Sequence, residues 1–262
     1  PIDTAFENAI GYAETIGRRG EMEDTMAIKR LNERYLFFGV FDGHAGREVA
    51  DKVARELANK VAAHFGTRDL TDAELNQVWG EMDKACEEGA GGSGSTATVA
   101  LLDRQNDELC MVNLGDARMV LAGADGAVLA KTTDHKPSDS AENTRIQAEQ
   151  GQVYSGRVGG VLAVSRAFGD FSLKPFKDFK NQAEGRWYQV GIEPTITRCK
   201  LPAKGYLILA CDGLWDVITS EDAATFTARA GAEGMSPEEI ATELLSAAYT
   251  GNITESNRTR GL

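Results

Sequence analysis

The sequence predicts an α+β fold of antiparallel strands with helices packed on their faces, and three observations carry that prediction. Four strand-like runs between Thr96 and Lys131 follow one another too closely for crossover helices, so neighbours must pair antiparallel. Val49, Val53, Leu57, Val61 and Phe65 recur every fourth residue, as on the buried stripe of a long helix. No internal repeat and no low-complexity linker divides the 262 residues, so one domain over 1–262 accounts for them.

The elements follow in order. Residues 10–16 and the aromatic run 35–41 read as strands. The long helix starts near Arg47. A second helix opens with Thr71-Asp72-Ala73-Glu74, a capping box, and carries Leu75, Trp79, Met82 and Cys86 on one face. After the glycine-rich break 89–94 come strands at 96–102, 108–114 and 118–122. Asp125-Gly126 then turns the chain into 127–131. A helix near 138–150 is stopped by Gly151, and short strands are expected near Val153 and Val161. Residues 171–189 lack periodicity and read as a long surface excursion. Strands at 192–198 and 206–210 precede helices near 220–230 and 236–249, the last with Pro237 at its first helical position.

Composition narrows the partners. A net charge of -12, from 40 acidic and 28 basic residues, argues against a nucleic-acid or anionic-membrane surface. No apolar run approaches the roughly 20 residues of a membrane span. Cys86, Cys110, Cys199 and Cys211 form no CxxC pair, which suits reduced thiols in a cytoplasmic or nuclear, intracellular setting. The amino terminus, Pro1-Ile2-Asp3, shows no leader and no initiator methionine, so it reads as a fragment boundary.

Three clusters put carboxylates at the ends of strand-like runs: Arg19-Gly20-Glu21-Met22-Glu23-Asp24, Asp42-Gly43-His44, and Asp212-Gly213-Leu214-Trp215-Asp216. Singly, each Asp-Gly pair is an ordinary turn. Together they would bring carboxylates from distant strands to one place, where a cation would offset the crowded charge. With three histidines and no Cys/His spacing for zinc, oxygen ligands suit Mg²⁺ or Mn²⁺, and no EF-hand loop is present.

The ordered set Arg19-x-x-x-Glu23-Asp24, Asp42-Gly43-His44, Ser93-Gly94-Ser95-Thr96-Ala97, Asn113-Leu114-Gly115-Asp116-Ala117-Arg118, Asp134-His135-Lys136-Pro137, residues 160–170 (GVLAVSRAFGD) and Cys211-Asp212-Gly213-Leu214-Trp215-Asp216 closely resembles the metal-dependent (type 2C, PPM) protein Ser/Thr phosphatases. The resemblance covers about 11–217. It implies two stacked antiparallel β-sheets flanked by helix pairs, with two metals, and a weaker third, at one end of the sandwich. It also implies roles: Asp42 bridging both metals, Gly43 offering its carbonyl, Asp212 binding one metal, and Glu23 and Asp24 holding metal-bound waters. Asp116 and Asp216, with Asp212, match the third site. Arg19 would bind the substrate phosphate and His44 would act as general acid. The implied substrates are phosphorylated proteins, and a monomer is expected.

Chemistry is consistent with those roles. Two metals about 4 Å apart activate a shared water for in-line attack on phosphorus. Arg19 adds positive charge for the phosphate, and an imidazolium can protonate a serine alkoxide. Each residue also has a plain structural reading. Arg19 could pair with Glu21 or Glu23, His44 could cap the helix near Gly46, and Asp116 could sit in a tight turn. His64 is given no role and His135 a structural one. Other phosphatase routes lack their motifs: no Cys-x5-Arg, no Asp-x-Asp and no Gly-Lys-Ser/Thr.

The tail departs from the family pattern. That pattern ends in Gly-Ser-x-Asp-Asn and an apolar strand, whereas no aspartate follows Asp222 here. Truncation, substitution by Glu255, and a catalytically impaired pseudophosphatase acting as a regulatory binding module are the alternatives. A further reading is hydrolysis of small phosphoesters.

Overall fold

The aromatic run Tyr35–Phe41 forms β2, and a five-stranded antiparallel sheet is built around it. The structure, a computed structural model, describes residues 9–64, 70–174 and 189–250. In chain order the strands are Thr25–Arg30 (β1), β2, Gly43–His44 (β3), Gly94–Ser95 (β4), Ala97–Asp103 (β5), Glu108–Leu114 (β6), Arg118–Gly123 (β7) and Val128–Lys131 (β8). Val153–Tyr154 (β9), Arg157–Val158 (β10), Phe168–Gly169 (β11), Thr195–Lys200 (β12) and Gly205–Ala210 (β13) follow. The helices are Glu48–His64 (α1), Asp72–Cys86 (α2), Ser140–Ala148 (α3), Asp212–Trp215 (α4), Ser220–Ala232 (α5) and Pro237–Thr250 (α6). The large sheet runs β1-β2-β5-β6-β12, a second runs β13-β7-β8, and a small one runs β11-β4-β3.

Alternation along the central strands explains the layering. A strand buried on both faces sends successive side chains to opposite cores. On β6, Val112 and Leu114 join Phe37, Phe41, Val99 and Leu101 beneath α1 and α2, where Val53, Leu57, Leu75, Trp79 and Met82 are buried. Leu109 and Met111 point the other way, onto Met119 and Leu121 of β7, with Phe38, Leu207 and Leu209 packed alongside. The opposite face of β7, Val120 and Ala122, packs with Ile208 against Trp215, Phe226, Ile240 and Leu244 of α4, α5 and α6. The order is therefore helices, sheet, sheet, helices, as the resemblance implied. Each fully buried Leu, Met or Phe contributes about 1.5–3 kcal/mol.

Local signals hold where their chemistry is strong. The Thr71 hydroxyl accepts from the Glu74 N–H while Glu74 accepts from the Thr71 N–H, closing the capping box at α2. Gly126, at φ +83°, makes the β7–β8 turn.

Three strand expectations fail. Residues 10–16 form no strand: Tyr12 and Ile16 are exposed, and Gly11 presses on the Pro237–Glu238 backbone at the start of α6. Val161 lies exposed in a turn, because Gly159 and Gly160 take positive φ and break the extended chain. The strand expected from residue 192 begins at Thr195, since Pro194 has no N–H for the ladder. Phe65, most of the 171–189 excursion, and the tail from residue 251 with Glu255 lie outside the described residues. Among the described residues no helix is long and apolar enough to cross a membrane.

Candidate active site

Strand register builds the site. Thr25 pairs with Phe41, so Asp24 and Asp42 flank the next rung at the end of β1 and β2. Ala210 pairs with Arg118, so Asp212 and Asp116 fall two rungs beyond, at the end of β13 and β7. The two sheets stack face to face, and the two acidic ends meet. The carboxylates of Asp42 and Asp212 thus converge across the sandwich, from different sheets.

Secondary contacts hold these ends. The Thr96 N–H donates to the Asp42 carbonyl at 2.9 Å. Gly43 lies so close to the Glu23 carbonyl that a Cβ would come within 2.4 Å, which excludes a larger residue there. Trp215 Nε1 donates to the carbonyls of Ala210 (2.9 Å) and Arg118 (3.1 Å), tying α4 to β13 and β7 of the second sheet. Arg118 stacks over the Trp215 ring and pairs with Asp134.

The cluster is crowded with negative charge. Ligand atoms of Asp24, Asp42 and Cys211 lie within 4.8 Å of one another. Burial, then the charges of Asp24, Asp212 and Asp116, push the Asp42 carboxyl up to about 9. Burial, then Asp212, pushes Asp116 up to about 7, against the pull of Lys136. Asp24 is raised by burial, while hydrogen bonds from Cys211 and Asp42 oppose the rise. Protonated Asp42 and the Cys211 thiol are therefore donors and Asp24 the acceptor. Crowded carboxylates of this kind, held together by burial, are the oxygen donor set that a hard divalent cation would bind. The residues fit such an ion.

Around this cluster the other expected residues divide. His44 Nε2 lies 2.7 Å from Asp170 Oδ2, so its partner is a side chain and not the start of α1. Glu23 Oε1 accepts from the Gly46 N–H at 2.5 Å and steadies the turn into α1. Arg19 is exposed and forms no ion pair with Glu21 or Glu23 among the described residues; its charge acts on Asp24. Asp216 stands further out, about 61% exposed, with Lys136 Nζ at 3.2 Å from Asp216 and 3.9 Å from Asp116.

His135 is structural, as expected. Its Nδ1 accepts from the Gly115 N–H at 3.1 Å, which leaves Nε2 to donate to the Thr195 hydroxyl at 2.7 Å. Burial lowers it to about 4, so the ring is neutral. His64 pairs with Glu81 at 3.5 Å.

Three contributors had no role in the sequence reading: Cys211, Lys136 and Asp170. All three stand inside the ordered motifs, so motif membership was the available signal. Asp170 lies 126 positions from His44, and no local pattern joins them.

A family profile described as Protein phosphatase 2C matches residues 9–256. Probable protein phosphatase 2C 45 of Oryza sativa subsp. japonica is 36% identical over 249 residues, covering 91% of this chain and 81% of its own length. Probable protein phosphatase 2C 69 of Arabidopsis thaliana is 35% identical over 255 residues, covering 93% and 68%. The crystal structure of a phosphatase from a pathogenic strain of Toxoplasma gondii shares the fold, with a TM-score of 0.78 at 23% identity over 90% of this chain and 86% of that one.

Proposed function

The chain belongs to the protein phosphatase 2C family of metal-dependent Ser/Thr protein phosphatases, and from that premise we propose that its carboxylate cluster holds two Mg²⁺ or Mn²⁺ ions. The convergence of Asp24, Asp42, Asp116 and Asp212 from the ends of two sheets carries this reading. Asp42, the Gly43 carbonyl and Asp212 are the ligands. Bound ions of this kind supply Lewis-acid charge for a phosphoryl group and lower the pKa of water.

The remaining roles fall to the chain's own groups. Asp24 and Glu23 orient water beside the cluster by accepting its hydrogen bonds. Exposed Arg19 takes the phosphate oxygens, which the acidic chain would otherwise repel. His44 donates a proton to the serine or threonine oxygen as its bond to phosphorus breaks, so that a hydroxyl leaves in place of an alkoxide. Asp116 and Asp216, with Asp212, form a weaker third position. The described cores share one sandwich, which supports a single phosphatase domain.

The test is phosphate release from a phosphoserine peptide by the purified chain, with Mn²⁺ and with a chelator. Metal-dependent turnover that Asp42→Ala abolishes is expected. Equal rates with and without metal would reject the mechanism. Binding of Mn²⁺ and phosphopeptide without phosphate release would instead make the chain a regulatory binding module.

A further inference from the structure

A small three-stranded sheet brings together two side chains that stand 126 positions apart in the chain. In β11-β4-β3, His44 pairs with Gly94, and Gly94 pairs with Gly169. Asp170 follows Gly169, so its carboxylate and the His44 ring reach towards each other over the Gly94 Cα. The space there is complete: a Cβ on Gly94 would sit 2.1 Å from Asp170 Oδ2 and 2.3 Å from His44 Nε2.

The carboxylate is held from several sides. Asp170 is about 4% exposed and takes a left-handed backbone, φ +50°, which L-residues rarely adopt. Its N–H donates to the Ser93 carbonyl at 3.1 Å, and its carbonyl accepts from Leu173 at 2.7 Å. Just before it, the Gly169 N–H donates to Asp83 Oδ1 at 2.9 Å, and Lys174 Nζ reaches the same oxygen at 2.5 Å. Helix α2 therefore fixes the turn through the buried Asp83–Lys174 pair.

We propose that Asp170 is a positioning residue for His44: it captures Nε2 and thereby directs Nδ1 as the nitrogen that delivers a proton to the leaving oxygen. An imidazole without this partner could rotate about its side-chain bonds and lose its alignment, and alignment within a fraction of an ångström decides proton-transfer rates. The inference rests on His44 being the proton donor.

The experiment uses the full chain with Mn²⁺ and two substrates that differ in leaving group. A phosphoserine peptide expels an alkoxide that needs a proton, whereas p-nitrophenyl phosphate expels an anion that does not. For Asp170→Ala, kcat on the peptide should fall roughly 10²-fold with KM nearly unchanged, and kcat on the aryl ester should fall less than about threefold. His44→Ala should show the same selectivity, and the double variant should lose little more than either alone. Asp170→Asn keeps the volume and serves if the alanine variant misfolds; it should show a selective loss in the same direction.

If His44→Ala is selective while both Asp170 variants slow the two substrates equally, or slow neither, the inference is overturned and the role of His44 stands. If His44→Ala is itself unselective, the proton-donor reading fails and the inference fails with it.

Discussion

Lys136 places its ammonium between two carboxylates, 3.2 Å from Asp216 and 3.9 Å from Asp116, so the protein itself supplies a cation to the outer part of its acidic cluster. An ion entering between Asp116 and Asp216 would compete with that ammonium. Lys136→Met should therefore tighten Mn²⁺ at the weaker position by roughly fivefold, equivalent to ~1 kcal/mol. Calorimetric titration reads this directly, and unchanged affinity for every ion would contradict it.

Asp42 ties stability to pH in the absence of metal. Its carboxyl is raised to about 9 in the fold, mainly by burial, from the ordinary 3.8. The folded state therefore keeps a proton that the unfolded chain has lost. This contribution is present below pH 3.8 and disappears as pH rises towards 9. In chelator, the Tm should show this downward contribution, and Asp42→Asn should remove it. The Tm gain on adding Mn²⁺ should grow with pH in the native chain and vanish in the variant.

His135 acts with the opposite sign. Burial lowers its pKa from 6.5 to about 4, so the unfolded chain takes up a proton that the fold refuses. Its contribution is intact above pH 6.5 and is lost as pH falls to 4, on the order of 3 kcal/mol in all. Urea unfolding of the native chain and His135→Gln across that window should show a shallower acid loss for the variant. Parallel curves would refute the assignment.

Glu142 is a buried keystone. Burial alone would raise its carboxyl, but hydrogen bonds from Arg166 and Ser165 and the charge of Arg145 outweigh this and hold it at about 2. Glu142→Ala would leave Arg166 without its carboxylate and Arg145 with only the more exposed Glu149, at a cost of about 3–5 kcal/mol. The urea midpoint measures it, and a change below about 1 kcal/mol would show the network to be dispensable.

Gly94→Ala probes the His44–Asp170 contact from beneath. The added methyl must push Asp170 or His44 aside, since both lie within 2.3 Å of where it would sit. Peptide turnover should fall about as far as in Asp170→Ala, while the Tm gain with Mn²⁺ survives. Native turnover in this variant would show that the pair has room to rearrange.

Much of the fold could be read locally. The capping box at Thr71, the Asp125-Gly126 turn and the fourfold stripe of α1 depend on neighbours a few residues apart, and each appears as expected. Residues 10–16 misled because apolar content alone cannot tell a strand from an extended segment laid over a helix start. The fate of such a segment depends on whether a partner edge is available.

The sequence by itself determined the candidates: the ordered motifs named Asp24, Asp42, Asp116, Asp212 and His44 without coordinates. Only the tertiary structure decided how they meet. Asp42 and Asp212 converge because two sheets stack, and Asp170 reaches His44 because a two-residue strand, β4, pairs on both sides. Hydrogen-bond register and sheet packing act between segments far apart in the chain. Charge crowding and proton positioning, which depend on ångström-scale distances across those segments, exist only after the chain has folded.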